Sequence, residues 1–296
     1  MILLNSYLRE KFGCKVYKLA LCSGCTCPNR DGTLGSHGCI FCSGKGSGEF
    51  AESADLPVSV QIERAKSRVS AKIKDGKYIA YFQSFTNTYA QADYLRGIFS
   101  EAIASDDIVA LSIATRPDCL PDDIIKLLDE LNRIKPVWVE LGLQTIHERT
   151  ARYIRRGYPL SVYDDAVKRL RAIGVEVITH MIIGLPHETP EETAATAKYI
   201  SDSGVNGIKL QLLHVLEGTD LADEYRSGKF NTLTLDEYIA ILRECLLNLR
   251  QDMVVHRLTG DGAKKDLIAP FWSADKKKVL AEINRQLKDI IHDCKS

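Results

Sequence analysis

Short apolar runs alternate with amphipathic stretches along most of this chain. Residues 16–21 (VYKLAL), 78–82 (YIAYF), 108–114 (IVALSIA), 137–143 (VWVELGL), 175–183 (VEVITHMII) and 208–215 (IKLQLLHV) read as strands. Between them lie helical patterns. Val58, Ile62, Ala65 and Val69 recur at helical spacing after Pro57, a helix covers about 91–104, and Ile124, Leu127, Leu128 and Leu131 share one face after Pro121. Ser161 with Asp164, and Thr189-Pro190-Glu191-Glu192, carry capping-box patterns that start two further helices. Beyond a turn at Gly218 the pattern loosens into a helix over 234–249, a short strand at 253–256 and a last helix over 274–291 with Val279, Ile283, Leu287 and Ile290 inward.

Most of the six strands are near-continuous apolar runs, as expected when helices cover one face and a packed interior the other. Right-handed crossovers then predict an α/β fold, a partial parallel (βα)6 barrel of TIM-like type with a C-terminal α/β extension. The core is expected over 1–230 and the extension, packed on it, over 231–296. A flat doubly wound sheet is the other arrangement of the same units. Gly44, Gly46 and Gly48 do not sit between a strand and a helix, so a dinucleotide fingerprint fails on context.

Composition sets bounds. The 296 residues are 45% hydrophobic and 26% charged, normal for a water-soluble globular chain. Lys+Arg and Asp+Glu both number 39, so no global field draws in nucleic acid or an anionic membrane. No stretch nears the roughly 18 apolar residues of a membrane span, and MILLNSYLREK carries no cleavage-site pattern, so a cytoplasmic protein is expected.

The chemistry concentrates in 22–50, CSGCTCPNRDGTLGSHGCIFCSGKGSGEF. Of nine cysteines, six lie in or just before it, and Cys27, Cys39 and Cys42 form a C-x11-C-x2-C pattern. In a reducing compartment such clustering points to metal ligands. A polar loop rich in glycine and serine is a poor home for core thiols. Two metal readings remain. A structural zinc would add Cys22, Cys25 or His37 to the three and stabilise a binding protein without redox chemistry. An iron–sulfur cluster held by three thiolates would keep one iron open for a ligand. Phe41 in CIFC would shield such a centre from water.

These residues resemble the radical S-adenosylmethionine (SAM) superfamily. The long gap before Cys39-Ile-Phe-Cys42, with TCPNRDGT at 26–33, Thr115-Arg116-Pro117-Asp118, Leu141-Gly-Leu-Gln-Thr145 and Ile183-Gly-Leu-Pro-His187 at strand ends, is similar to the YhcC-type group and to the radical-SAM part of the Elongator catalytic subunit. The resemblance covers nearly the whole chain; an acetyltransferase domain has no counterpart in it. It implies a 4Fe–4S cluster on Cys27, Cys39 and Cys42, SAM on the open iron, and reductive cleavage to a 5′-deoxyadenosyl radical that takes hydrogen from a substrate. It also implies an electron donor of flavodoxin or ferredoxin type and makes RNA a candidate substrate.

Carried residue by residue, the resemblance places Gln83, Ser84 and Thr86 at the methionine amine, through backbone carbonyls where relatives have glycines. Gln144 reaches the ribose or methionine end, and Arg156 pairs with the SAM carboxylate. Thr115 belongs to a polar strand end where Arg116 and Asp118 can pair with each other. Ala114 stands where relatives carry a ribose-binding glutamate, His180 where one has an aspartate, and Ile182–Leu185 lines the adenine. A fold that has lost its activity is a third reading, motivated by the departures at 83–86 and Ala114. Lys209, Gln211 and His214 are expected to face the barrel interior as a substrate pocket. Cys22 and Cys25 read as spare thiols, Cys119, Cys245 and Cys294 as structural ones. The lysines at 264–265 and 276–278 are a solvated face or an RNA contact.

Overall fold

The structure, a computed structural model, describes residues 1–44, 46, 51–73, 76–260 and 264–291. Gly48 and Cys294 lie outside the described residues. All six expected strands form: β2 (Val16–Leu21), β3 (Lys77–Phe82), β4 (Ile108–Thr115), β5 (Val137–Gln144), β6 (Glu176–Ile183) and β7 (Gly207–Leu212). They pair in chain order and all in parallel. The expectation of six is short by two. β9 (Val254–Arg257) joins the sheet beside β7, and β1 (Ile2–Leu3) pairs with β9, giving eight parallel strands in the order β1-β9-β7-β6-β5-β4-β3-β2. A two-residue strand carries no periodic signal, which is why β1 is invisible in the sequence. The sheet curls into a half-barrel. A separate antiparallel pair joins β8 (Val215–Leu216) to β10 (Leu267–Ala269).

Helices cover the outer face: α2 (Val58–Val69), α3 (Ala92–Ile103), α4 (Asp122–Asn132), α6 (Leu160–Ala172), α7 (Pro190–Asp202), α9 (Leu235–Leu247) and α10 (Lys276–Gln286), while the short α5 (Glu148–Tyr153) and α8 (Asp220–Arg226) add side chains to a separate apolar cluster with Ile40. Thr189 with Glu192 and Thr234 with Glu237 close true capping boxes on α7 and α9. Ser161 does not cap α6: the helix starts one residue earlier, behind Pro159, without a side-chain cap. Between strands and helices lies one continuous core that includes Leu19, Phe82, Leu111, Val139, Leu141, Val177 and Leu210.

The other face of each strand points inward, and period-two alternation sorts it into layers. At the N-terminal end Val16, Ile79, Ala110, Trp138 and Ile178 pack together with Leu8 of α1 (Leu4–Phe12). The α1 helix touches β2 at one edge and β1 and β9 at the other, so it plugs the bottom of the half-barrel and covers its edges. Two residues further along the strands the interior turns polar: Lys18, Tyr81, Ser112, Glu140, His180 and Lys209. This position, above a hydrophobic plug and beneath the strand ends, sets the depth of the site. No helix among the described residues is long and apolar enough to cross a membrane.

Leu111 is fully buried between β4's neighbours and the helices. Leu111→Ala is expected to lower the unfolding free energy by about 3 kcal/mol in urea titrations. A loss under about 1 kcal/mol would show that the outer core is not the close-packed layer described.

Candidate active site at the mouth of the half-barrel

A cavity of about 260 Å³ opens at the C-terminal ends of the strands. Cys27, Cys39 and Cys42 line it together with Phe41, Gln83, Ser84, Thr86, Thr115, Gln144, Arg156, His180 and Ile182. The three cysteines and these expected SAM contacts therefore border one space, although they come from the cysteine loop, from β4, β5 and β6 and from the segments after β3 and β5; of the expected adenine wall 182–185, only Ile182 lines it. Cys22 and Cys25 do not line it. Cys25 packs into the main core, and Cys22 is tied by its backbone to the Gln61 carboxamide.

Backbone bonds hold the cysteine loop: Arg30 N–H donates to Cys27 O at 2.8 Å, Gly38 N–H to Asn29 O at 2.7 Å and Cys42 N–H to Cys39 O at 2.9 Å. Ile40, between the last two cysteines, is buried in a small apolar cluster with Ile154, Ile182, Leu185, Leu213, Leu221 and Phe230, which anchors the loop on the strand ends. Asn29 was not singled out from the sequence, yet its Nδ2 donates to Arg155 O at 2.6 Å and to Cys39 Sγ at 3.5 Å. Arg30 donates to Cys42 O and Ser43 O at 2.8 and 2.6 Å and stacks on Phe85. Burial, reinforced by the neighbouring Cys42 and Cys27, pushes the Cys39 thiol up to about 12. A thiolate there needs a cation to hold its charge, and the nearby Arg116 supplies part of that field.

Strain concentrates around the same space. Ser84 (φ 42°), Phe85 (φ 57°), Gln144 (φ 70°) and Arg155 (φ 60°) are non-glycine residues in the left-handed region, each costing on the order of 1 kcal/mol. Asn87, also missed, fixes the first pair: its Nδ2 donates to Ser84 O and Ala114 O, and its Oδ1 accepts from Ser23 Oγ. Ser84's carbonyl is therefore already half engaged. At Gln144 the register with β6 slips, and its buried Oε1 faces the cavity with no hydrogen-bond partner. Such an orphaned acceptor fits a donor on a bound cofactor.

Arg156 stands apart from the expected role. Its guanidinium donates Nε to Tyr158 O at 3.0 Å, Nη1 to Thr145 O at 2.7 Å and Nη2 to Glu148 at 2.9 Å, so all three nitrogens serve the chain itself. Arg116 and Asp118 do pair, in a two-pronged contact at 2.9 and 2.7 Å. Thr115 Oγ1 is bonded to Thr88 Oγ1 at 2.5 Å.

Below the mouth sits Glu140, completely buried. Its Oε1 accepts from Lys18 Nζ at 2.7 Å and Ser112 Oγ at 2.9 Å; its Oε2 accepts from His180 Nε2 at 2.7 Å and from Lys209 Nζ. Burial alone would raise its pKa; Lys18, Lys209 and the His180 bond outweigh this and hold the carboxyl well below its usual range. Burial and the Lys209 charge push His180 down to about 4 against the pull of Glu140. Lysines 264–265 and 276–278 are exposed, as is Phe271, which lies between them in sequence. Among the described residues, no group of three or more His, Cys, Asp or Glu is spaced to hold a single metal ion.

The model of the Radical SAM superfamily matches residues 32–200, more than half of the chain, and the Radical_SAM C-terminal domain matches 205–289. The chain belongs to the radical SAM superfamily. Membership brings a 4Fe–4S cluster and SAM as its cofactors, and makes the chain a radical SAM enzyme by class. This radical SAM chain is 48% identical to uncharacterized protein YtqA of Bacillus subtilis over 97% of itself and 89% of that protein. It is 35% identical to protein YhcC of Escherichia coli, over 95% of itself and 90% of that protein. A tRNA uridine(34) acetyltransferase of Dehalococcoides mccartyi is 27% identical over 62% of the radical SAM chain, which spans only 39% of that protein. Among solved structures, Elp3 of Methanocaldococcus infernus superposes with a TM-score of 0.69 at 18% identity, covering 93% of this chain and 64% of that one. That likeness shows a shared fold.

Gly157 (φ +84°) is required by the anchor: a Cβ there would lie 2.9 Å from Asn29 Oδ1. Gly157→Ala is expected to cut iron content after anaerobic reconstitution several-fold and to lower stability by about 1 kcal/mol, the cost of a left-handed alanine, with the fold retained by circular dichroism. Full iron loading would refute the Asn29–Gly157 brace. The low His180 pKa means that the unfolded chain binds the extra proton between pH 6.5 and about 4. Stability is therefore present above pH 6.5 and is lost as pH falls through that window, by on the order of 3 kcal/mol. His180→Gln should flatten urea-denaturation midpoints measured between pH 4 and 6.5; an unchanged slope would exclude His180 as the source.

Proposed function

We propose that this chain binds its cluster through Cys27, Cys39 and Cys42 and positions SAM in the cavity they share with Gln144 and Ile182. The observation that carries the reading is that three loop cysteines, an unpartnered buried carboxamide oxygen and an apolar wall border one space at the strand ends. When bound and reduced, the cluster and SAM supply a 5′-deoxyadenosyl radical that abstracts hydrogen from the substrate. The chain's own groups do the rest. Phe41 and Ile40 screen the thiolates from water. The Asn29 amide steadies Cys39 by an N–H···S bond, and Arg116 offsets thiolate charge. Gln144 Oε1 accepts a donor from SAM. Ile182, clustered with Leu185, offers the apolar wall for adenine. Ser84 and Phe85, on strained backbone, border the same space.

For the substrate we propose RNA. Relatives that carry the name tRNA uridine(34) acetyltransferase support this, as do five exposed lysines that flank Phe271 in sequence, itself 77% exposed. An external one-electron donor of flavodoxin or ferredoxin type completes the system.

Anaerobically reconstituted protein with dithionite should release 5′-deoxyadenosine from SAM. Cys39→Ala should reduce that yield to background, and Gln144→Ala should weaken SAM binding by about tenfold, the worth of one hydrogen bond. Undiminished product from Cys39→Ala, or a colourless protein with stoichiometric zinc, would overturn the cluster assignment. Added bulk tRNA should change the yield; indifference to tRNA would remove RNA as the substrate.

A further inference from the structure

Among the described residues, the deep end of the cavity holds more positive charge than the carboxylates there neutralise. On adjacent parallel strands His180 is in register with Lys209, and Lys209 with Arg257. The three side chains thus form a row across β6, β7 and β9, and all three line the cavity. Lys18 enters the same interior from β2. Against Lys18, Lys209 and Arg257 stands one carboxylate, Glu140, and both of its oxygens are already occupied by four donors. Lys209 Nζ spends one hydrogen on Glu140 and another on Tyr81 Oη at 3.0 Å, which leaves a third. No carboxylate among the described residues pairs with Arg257. Uncompensated cations in a space of low dielectric are costly unless an anion joins them.

We propose that this row is an oxyanion receptor: a phosphate or carboxylate group of the substrate binds between the Lys209 ammonium and the Arg257 guanidinium, beneath the cysteine loop. The planar fork of Arg257 suits two oxygens of either group, and Lys209 offers a point charge beside it. Tyr81 and Gln211 border the same space and can serve further oxygens. Glu140 orients the receptor: by holding Lys18, Lys209 and His180 it keeps their side chains in place without cancelling the excess charge. Independent support comes from Lys209 itself, pushed down to about 7 by burial, against Glu140 and with Lys18 and Arg257 adding to the shift. An incoming anion would restore the full ammonium.

The inference rests on the radical SAM reading only for naming the occupant as substrate; the receptor is complete in the protein alone. The test therefore uses the full chain as purified, before and after cluster reconstitution. Inorganic phosphate is titrated and followed by ³¹P relaxation, and acetate by saturation-transfer NMR. Saturable binding is expected, weakened about tenfold or more in Arg257→Gln and in Lys209→Met, and unchanged in Lys168→Met on the exposed face of α6. Tighter phosphate than acetate names a phosphate-bearing substrate group; the reverse names a carboxylate. Absence of saturable binding of both anions in wild type, or wild-type binding in both interior variants, overturns the receptor. Far-ultraviolet circular dichroism and a preserved urea midpoint for Arg257→Gln exclude misfolding as the cause of a loss. Failure of SAM cleavage with intact anion binding would sink the radical reading and leave the receptor standing.

Discussion

One buried carboxylate organises the interior of this molecule. Glu140 gathers Lys18 from β2, Ser112 from β4, His180 from β6 and Lys209 from β7, so one side chain is bonded to strands on both sides of its own. An ionised group so deep survives only because every lone pair is occupied and cations surround it. The dependence is mutual, because each cation would be costly there without the carboxylate. The consequence is a polar storey inside an otherwise apolar half-barrel. It lies above the plug formed by α1 and Trp138 and below the cysteine loop.

That storey decides where chemistry can occur. The plug closes the lower end and the loop, pinned by Ile40 and by the Asn29 bond to Arg155 O, covers the upper one. What remains is a small space with three cysteine thiols at one end and a row of basic side chains at the other. A radical generated at the upper end would be shielded from solvent, and a charged group bound at the lower end would fix which atom of the substrate faces it. The left-handed backbone at Ser84, Phe85, Gln144 and Arg155 belongs to the same economy: strain sits where the chain must crowd around a cofactor.

Much of this was legible in the chain. The strand–helix alternation led to a parallel barrel-like sheet because parallel strands buried on both faces write continuous apolar runs. The cysteine spacing, with the polar residues at strand ends, led to the cavity, because in such a sheet loops at the C-terminal ends converge. Ser161 misled because a capping pattern competes with the proline two residues before it. Arg156 reads as a ligand-binding arginine from type and position alone; three of its five N–H donors go to Tyr158, Thr145 and Glu148, a bracing role that only the fold reveals. Asn29 and Asn87 carried no signal beyond being polar loop residues, since their value lies in partners far along the chain.

By itself, then, the sequence determined the class of fold and the family to which the chain belongs and singled out the cysteine loop, since these rest on local periodicity and on short spacings that any reader of the chain can see. The tertiary structure alone decided that β1 and β9 complete the sheet, that α1 plugs it, and that Glu140 holds four partners 28 to 122 residues away. A lone glutamate in VWVELGL hints at something buried and paired, but pairing across the barrel depends on strand register and curl. Those are set by the packing of the whole sheet, not by any one segment.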